Sequence, residues 1–177
     1  MACGSATAIP TTEDGLQRLL DFFIYGMLRA SESLGNTPVF LRTVEEAGLL
    51  RFMLVNMPEF RASADPVEAC RAYTEAVDRA GLFDGSDTAF RGDNGSVEAE
   101  VGDRCVYRRV CTMRSDEDLP VHCIRALALT EMLRIQLGAD YRWKLESFGQ
   151  PCRISMTRDP LKEATIRSAA AAEASPP

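Results

Sequence analysis

Apolar residues recur at helical spacing through the first eighty positions and at strand spacing in two later stretches. Leu16, Leu19, Leu20, Phe23, Ile24, Met27 and Leu28 fall three and four apart, which predicts an amphipathic helix capped by Thr11 or Thr12 and ending near Leu34-Gly35. Asn36 or Thr37 with Pro38 restarts a second helix carrying Val39, Phe40, Val44, Leu49, Leu50, Phe52, Met53 and Leu54; the segment from Asn56 to Ser63 breaks it. Asp65-Pro66 with Glu68 is a capping-box-like opening for a third helix through Cys70, Tyr73 and Val77 to Gly81. From Asp84 to Gly95 the sequence DGSDTAFRGDNG is dense in turn residues, so a mobile surface loop is expected there.

The period then changes. Val97, Ala99 and Val101 alternate with Glu98 and Glu100, Gly102-Asp103 turns the chain, and Arg104 to Met113 is expected to return as the partner strand. Pro120 suits a first helical turn, and the helix predicted from there to Leu137 is apolar around most of its circumference, so it should be buried on more than one side. Gly138 supplies its left-handed stop. Tyr141, Trp143 and Leu145 alternate with Arg142, Lys144 and Glu146; Phe148-Gly149-Gln150 turns, and Cys152, Ile154 and Met156 repeat the alternation. The order is three helices, a hairpin, a helix and a hairpin. It predicts an α+β domain in which helices pack on a four-stranded antiparallel sheet built from two hairpins flanking a central helix, the hairpins joining edge to edge. The domain should span residues 14–157, with a disordered N-terminus over 1–13 and an Ala-rich tail over 158–177.

Charge and composition narrow the function classes. A net charge of −6 leaves no default basic face for nucleic acid, and no apolar run reaches the roughly 18 residues of a membrane span, so a cytoplasmic protein is expected. Six cysteines in 177 residues (Cys3, Cys70, Cys105, Cys111, Cys123 and Cys152) are too sparse for a disulfide scaffold and read as reduced thiols. The only imidazole is His122.

The stretch PVHCIRALALTEMLRIQLG, followed by a hairpin closing in WKLESFGQPCRISM, resembles the C-terminal half of the 4-vinyl reductase type of domain. That half carries a Pro-Val-x-Cys-like helix start, a small-residue-rich helix ending in Gly, and a hairpin closing with Gly-x-x-Cys. The upstream order also fits that domain and the related TRAPP-type trafficking subunits, over residues 14–157. The resemblance implies a domain that binds a small hydrophobic or aromatic molecule, or a tetrapyrrole-pathway intermediate, and often dimerises. In sensors of aromatic catabolism with this domain, three cysteines and a glutamate hold a structural zinc. Cys123 matches the first of those cysteines and Cys152 the last; the other two ligands have no counterpart, Glu146 being out of register.

The residues themselves suggest two sites. Cys105 and Cys111, six apart on the expected strand, would share a face, and with Cys123 and Cys152 they could form a four-thiolate zinc site, although buried packing is the commoner use of free cysteine. Phe23, Met27, Phe52, Tyr107, Tyr141, Trp143 and Met156 are the best material for a ligand cavity, with Arg109 or Arg142 available for an anionic or phenolic group. Glu98 and Glu100 read as a wet sheet face paired across strands with Arg104, Arg108 and Arg109. His122 reads as a solvated or capping residue, since adjacent residues on a helix diverge by about 100° and would not bond easily to each other. A homodimer is expected because Phe22, Phe23, Ile24 and Tyr25 are apolar on more sides than one domain buries. A small-molecule-binding module is the leading expectation; an enzyme using a cysteine thiolate or cysteine-bound metal, and a structural adaptor, are the alternatives.

Overall fold

A computed structural model describes residues 13–56, 63–93 and 95–159. The first twelve residues and those from 160 on, expected to be tails, lie outside the described residues. Helices α1 (Glu13–Ser33), α2 (Thr37–Asn56) and α3 (Pro66–Arg79) follow the predicted periodicity. The Asp65 side chain accepts the Glu68 N–H at 2.8 Å, and Pro66 opens the first turn of α3.

The next segment departs from expectation. Strands β1 (Thr88–Asp93) and β2 (Ser96–Val101) form the first hairpin, whereas residues 104–113 supply a loop and helix α4 (Arg108–Asp116). The expected loop over 84–95 is thus half strand. It is an edge strand, mostly exposed, and Gly92 sits at φ 148° with Ser96 O only 2.1 Å from where a Cβ would stand. From Arg108 on the chain is helical, and its inward residues Val110 and Arg114 are four apart and both buried. Cys105 and Cys111 therefore share no strand.

Helix α5 runs Ile124–Leu137, four residues later than Pro120 suggested, and Gly138 closes it at φ 62°. β3 (Tyr141–Ser147) and β4 (Cys152–Arg158) make the second hairpin. The sheet is antiparallel throughout, in the order β1-β2-β4-β3, so the two hairpins do join through β2 and β4, Ala99 facing Ile154. Val97, Ala99, Val101, Ile154 and Met156 point to one face, where α5 and α3 cover them. α2 packs outside α5, and α1 lies outermost against α2 and α4. A smaller cluster of Ile24, Leu28, Val110 and Ile124 ties α1 to the domain. The opposite sheet face is wet, as expected, but its partners differ. Arg91 meets Glu98 at 2.6 Å and Arg153 meets Glu100 at 3.3 Å, in place of the expected Arg104, Arg108 and Arg109.

Among the described residues no helix is long and apolar enough to cross a membrane.

Candidate functional site: a cavity divided by Tyr107

Three adjoining spaces meet at Tyr107, the residue just before α4. The loop from Gly102 to Tyr107 brings this ring down between α1, α2 and α5, so the local misfit between hairpin and helix positions the site.

The inner chamber, about 20 Å³, lies between the sheet edge and the starts of α4 and α5, and Cys105, Cys111, Cys123 and Cys152 all line it. The four thiols thus come to one chamber from four places: the loop, α4, the cap of α5 and the start of β4. Among the described residues no three His, Cys, Asp or Glu side chains are grouped so as to hold a metal ion. Burial pushes Cys111 and Cys123 up to about 12 and raises Cys105 as well, because the thiolate would lose its hydration there. Protonated thiols are weak nucleophiles at neutral pH.

Arg108 and Arg125 also line that chamber. Arg125, 2% exposed on the first turn of α5, stacks 3.7 Å above the Phe83 ring, and its Nη2 donates to Thr88 Oγ1 at 2.9 Å. Its Nε and Nη1 are buried without a hydrogen bond. Arg108 donates to the Gly149 carbonyl at 2.6 Å, the Gly102 carbonyl at 2.7 Å and Cys152 Sγ at 3.2 Å, leaving Nε buried and unbonded.

The two outer spaces, about 150 and 270 Å³, open between α1 and α2, and Tyr107 and Glu45 line both. Met27 contributes to one, Phe52 to the other. Glu45 is half-buried, and desolvation together with the negative charge of Glu131 raises its carboxyl to about 7.

The expected pocket residues therefore divide. Tyr107, Met27 and Phe52 line the cavity. Tyr141 and Trp143 are partly buried against the main core and Met156 lies fully inside it, while Phe23 faces outward, 63% exposed. Of the two expected arginines, Arg109 pairs with Asp21 at 3.4 Å and Arg142 with Asp159 at 2.7 Å, both away from the cavity. His122 lies 3.3 Å from Glu32, which also pairs with Arg29 at 3.2 Å and with the fully buried Arg114, a brace between α1 and the α4–α5 connection.

No protein-family model, curated protein or solved structure matches the chain.

Apolar surface enclosed between helices is one general feature of a small-molecule site. Arg108 and Arg125, which line the inner chamber, escaped the sequence reading because arginines beside strand-like or helical patterns read as solvent-facing. Arg125 had one available signal: it interrupts an apolar run on a helix expected to be buried on several sides.

Proposed function

We propose that this chain is a cytoplasmic binding module for a small hydrophobic or aromatic molecule, acting as sensor, carrier or accessory protein and without covalent chemistry of its own. The observation that carries the reading is the set of three adjoining spaces, the two smaller ones mainly apolar, that meet at Tyr107 between helices and sheet. Resemblance to the 4-vinyl reductase type of domain points the same way. The volumes of these spaces, none above about 270 Å³, and the Tyr107 partition favour a small aliphatic or aromatic molecule over a tetrapyrrole.

The working unit in this proposal is a homodimer formed through α1 and α2. Eight large apolar residues of these helices and the turn between them, Leu16 to Val55, are more than half exposed. At roughly 100 Å² for each such side chain they present on the order of 800 Å², about what one partner contributes to a stable interface.

Native mass spectrometry of the purified protein, paired with a denatured spectrum, tests both. The expected result is a dimer carrying excess mass that disappears on denaturation. A clean monomer that takes up no added octanoic or aromatic compound would refute the proposal; a clean dimer that takes up none would favour an adaptor.

A further inference from the structure

The larger of the two outer spaces, about 270 Å³, is one-sided in its chemistry. Its polar side chains are those of Gln17, Glu45, Tyr73 and Tyr107, and no arginine, lysine or histidine lines it. Glu45, half-buried on α2, makes neither an ion pair nor a hydrogen bond among the described residues, and the one charge acting on it is the negative charge of Glu131. Among those residues the carboxylate oxygens buried without a hydrogen bond belong to Asp21 and Asp87, so the Glu45 oxygens keep access to open space, and the spaces that Glu45 lines are the two outer ones. Gln17 presents the same sign. Its Nε2 donates to Asp21 Oδ1 at 3.0 Å and to the Val106 carbonyl at 3.2 Å, which uses both N–H groups and leaves Oε1 as the acceptor on offer. The apolar wall includes Phe52 and Tyr73, whose rings meet edge to face with centroids 6.1 Å apart.

We propose that this space takes an apolar amine, its ammonium received by the Glu45 carboxylate, with Gln17 Oε1 a second acceptor on the same wall, and its ring or chain against Phe52 and Tyr73. This rests on the binding-module reading and names the ligand class. An ammonium carries three donors and no acceptor, so it is the head group that an acceptor wall satisfies; a carboxylate there would find only the two tyrosine hydroxyls to donate to it. A half-buried carboxylate without a cation is costly to keep charged, and a guest that brings the positive charge offsets that cost. The faces of aromatic rings attract the same cation. Size agrees as well. A cavity of about 150 Å³ suffices for benzene, so this one has room for a ring with a short aminoalkyl arm, and no part of the guest has to pass Tyr107. The net charge of −6 draws cations toward the chain.

Calorimetric titration of the wild-type protein at pH 8 with phenethylamine, 2-phenylethanol and phenylacetate tests this, since the three share a ring and differ in the charge of the head. Phenethylamine is expected to bind about tenfold to a hundredfold more tightly than the alcohol, the range for hydrogen bonds to charged partners, and phenylacetate more weakly than either. Glu45→Gln keeps the shape of the side chain and removes its charge, and should bring amine and alcohol close to parity. Because it deletes an unpaired charge, this variant is expected to fold; Glu45→Asp, which keeps the charge on a shorter arm, should give an intermediate preference. The alcohol or phenylacetate binding as tightly as the amine to the wild type, or an amine preference that survives Glu45→Gln, would overturn the cationic class and leave an apolar binding module standing. Absence of binding by all three would overturn that module as well.

Discussion

Helices α5 and α1 are both apolar around much of their circumference, yet one is finished and the other is not. On α5 every side is covered: Leu129, Met132 and Leu133 are fully buried, and the one buried acid, Glu131, is met by Arg42 at 3.0 Å and Arg134 at 2.7 Å. On α1 the inward row of Asp21, Ile24, Leu28 and Ser31 is equally buried. Its outward row is bare: Leu16, Leu19 and Phe23, spaced three and four apart, are more than half exposed, with Gly26 and Ala30 continuing the stripe. α2 repeats the contrast in charge, for among the described residues no ion pair is made by its half-buried Glu45 where Glu131 makes two. Apolar patterning alone thus does not distinguish a helix at the centre of a domain from one that awaits a cover. What distinguishes them is which neighbours the topology delivers, and the sheet packs against α5 and not against α1.

The largest effect should come from the finished side. Leu129→Ala deletes a fully buried side chain among α2, α3 and the sheet and is expected to cost about 2–5 kcal/mol in urea unfolding. Leu19→Ala, on the outward row, should change the stability of an isolated protomer by no more than about 0.5 kcal/mol. A loss at Leu19 as large as that at Leu129, independent of protein concentration, would show that α1 is covered within its own chain and would erase the comparison.

Phe23→Glu sharpens it. Placing a charge in the middle of the outward stripe should raise the dimer dissociation constant by about thirtyfold or more, the scale of an interface anchor. Sedimentation at micromolar concentration reads this directly, with the folded protomer retained because Phe23 supports nothing beneath it. A variant that dimerises like the wild type would move the interface off α1.

How far the sequence could be read follows the same division. Elements with one wet and one buried face announce themselves by period, and α1, α2, α3, β3 and β4 were legible that way. β1 was not, because an edge strand of Thr-Ala-Phe-Arg-Gly-Asp buries no alternating row and its Gly and Asp look like a turn. α4 was not, because Val106, Tyr107, Val110 and Cys111 have strand-like side chains while only Val110 and Arg114 point inward. The convergence of four cysteines was half legible: Cys123 and Cys152 sit on elements read correctly, and Cys105 and Cys111 reach the same chamber by a loop and a helix rather than a strand. Charge inside the domain was not legible at all. Arg114 and Arg125 are buried cations and Arg108 is a partly buried one, and residue type alone points them to solvent.

The smallest effect concerns the unpaired acid. The carboxyl of Glu45 sits at about 7 against an ordinary 4.5, first through desolvation and then through Glu131 on α5 facing it. The other titratable groups turned toward it are Tyr73 on α3 and Tyr107, both neutral near pH 7, and Arg42, three residues before it on α2, is occupied by Glu131 and Asp140. A carboxyl whose folded value is raised favours the folded state in its protonated form. Its contribution is therefore complete below about pH 4.5 and is lost as pH climbs through 7. Glu32, held low by Arg114 and His122, changes only in acid and stays out of that window. Wild-type stability should accordingly fall by about 2 kcal/mol between pH 5 and pH 8, a figure reduced for the partial exposure of the group. Glu45→Gln should flatten the slope and be the more stable protein at pH 8. Urea midpoints at the two pH values decide it, and equal slopes for both proteins would mean that water or a cation reaches Glu45 as Arg42 and Arg134 reach Glu131. If the second protomer does cover the cleft, the wild-type slope should also steepen as protein concentration rises, because burial then deepens around the same carboxyl.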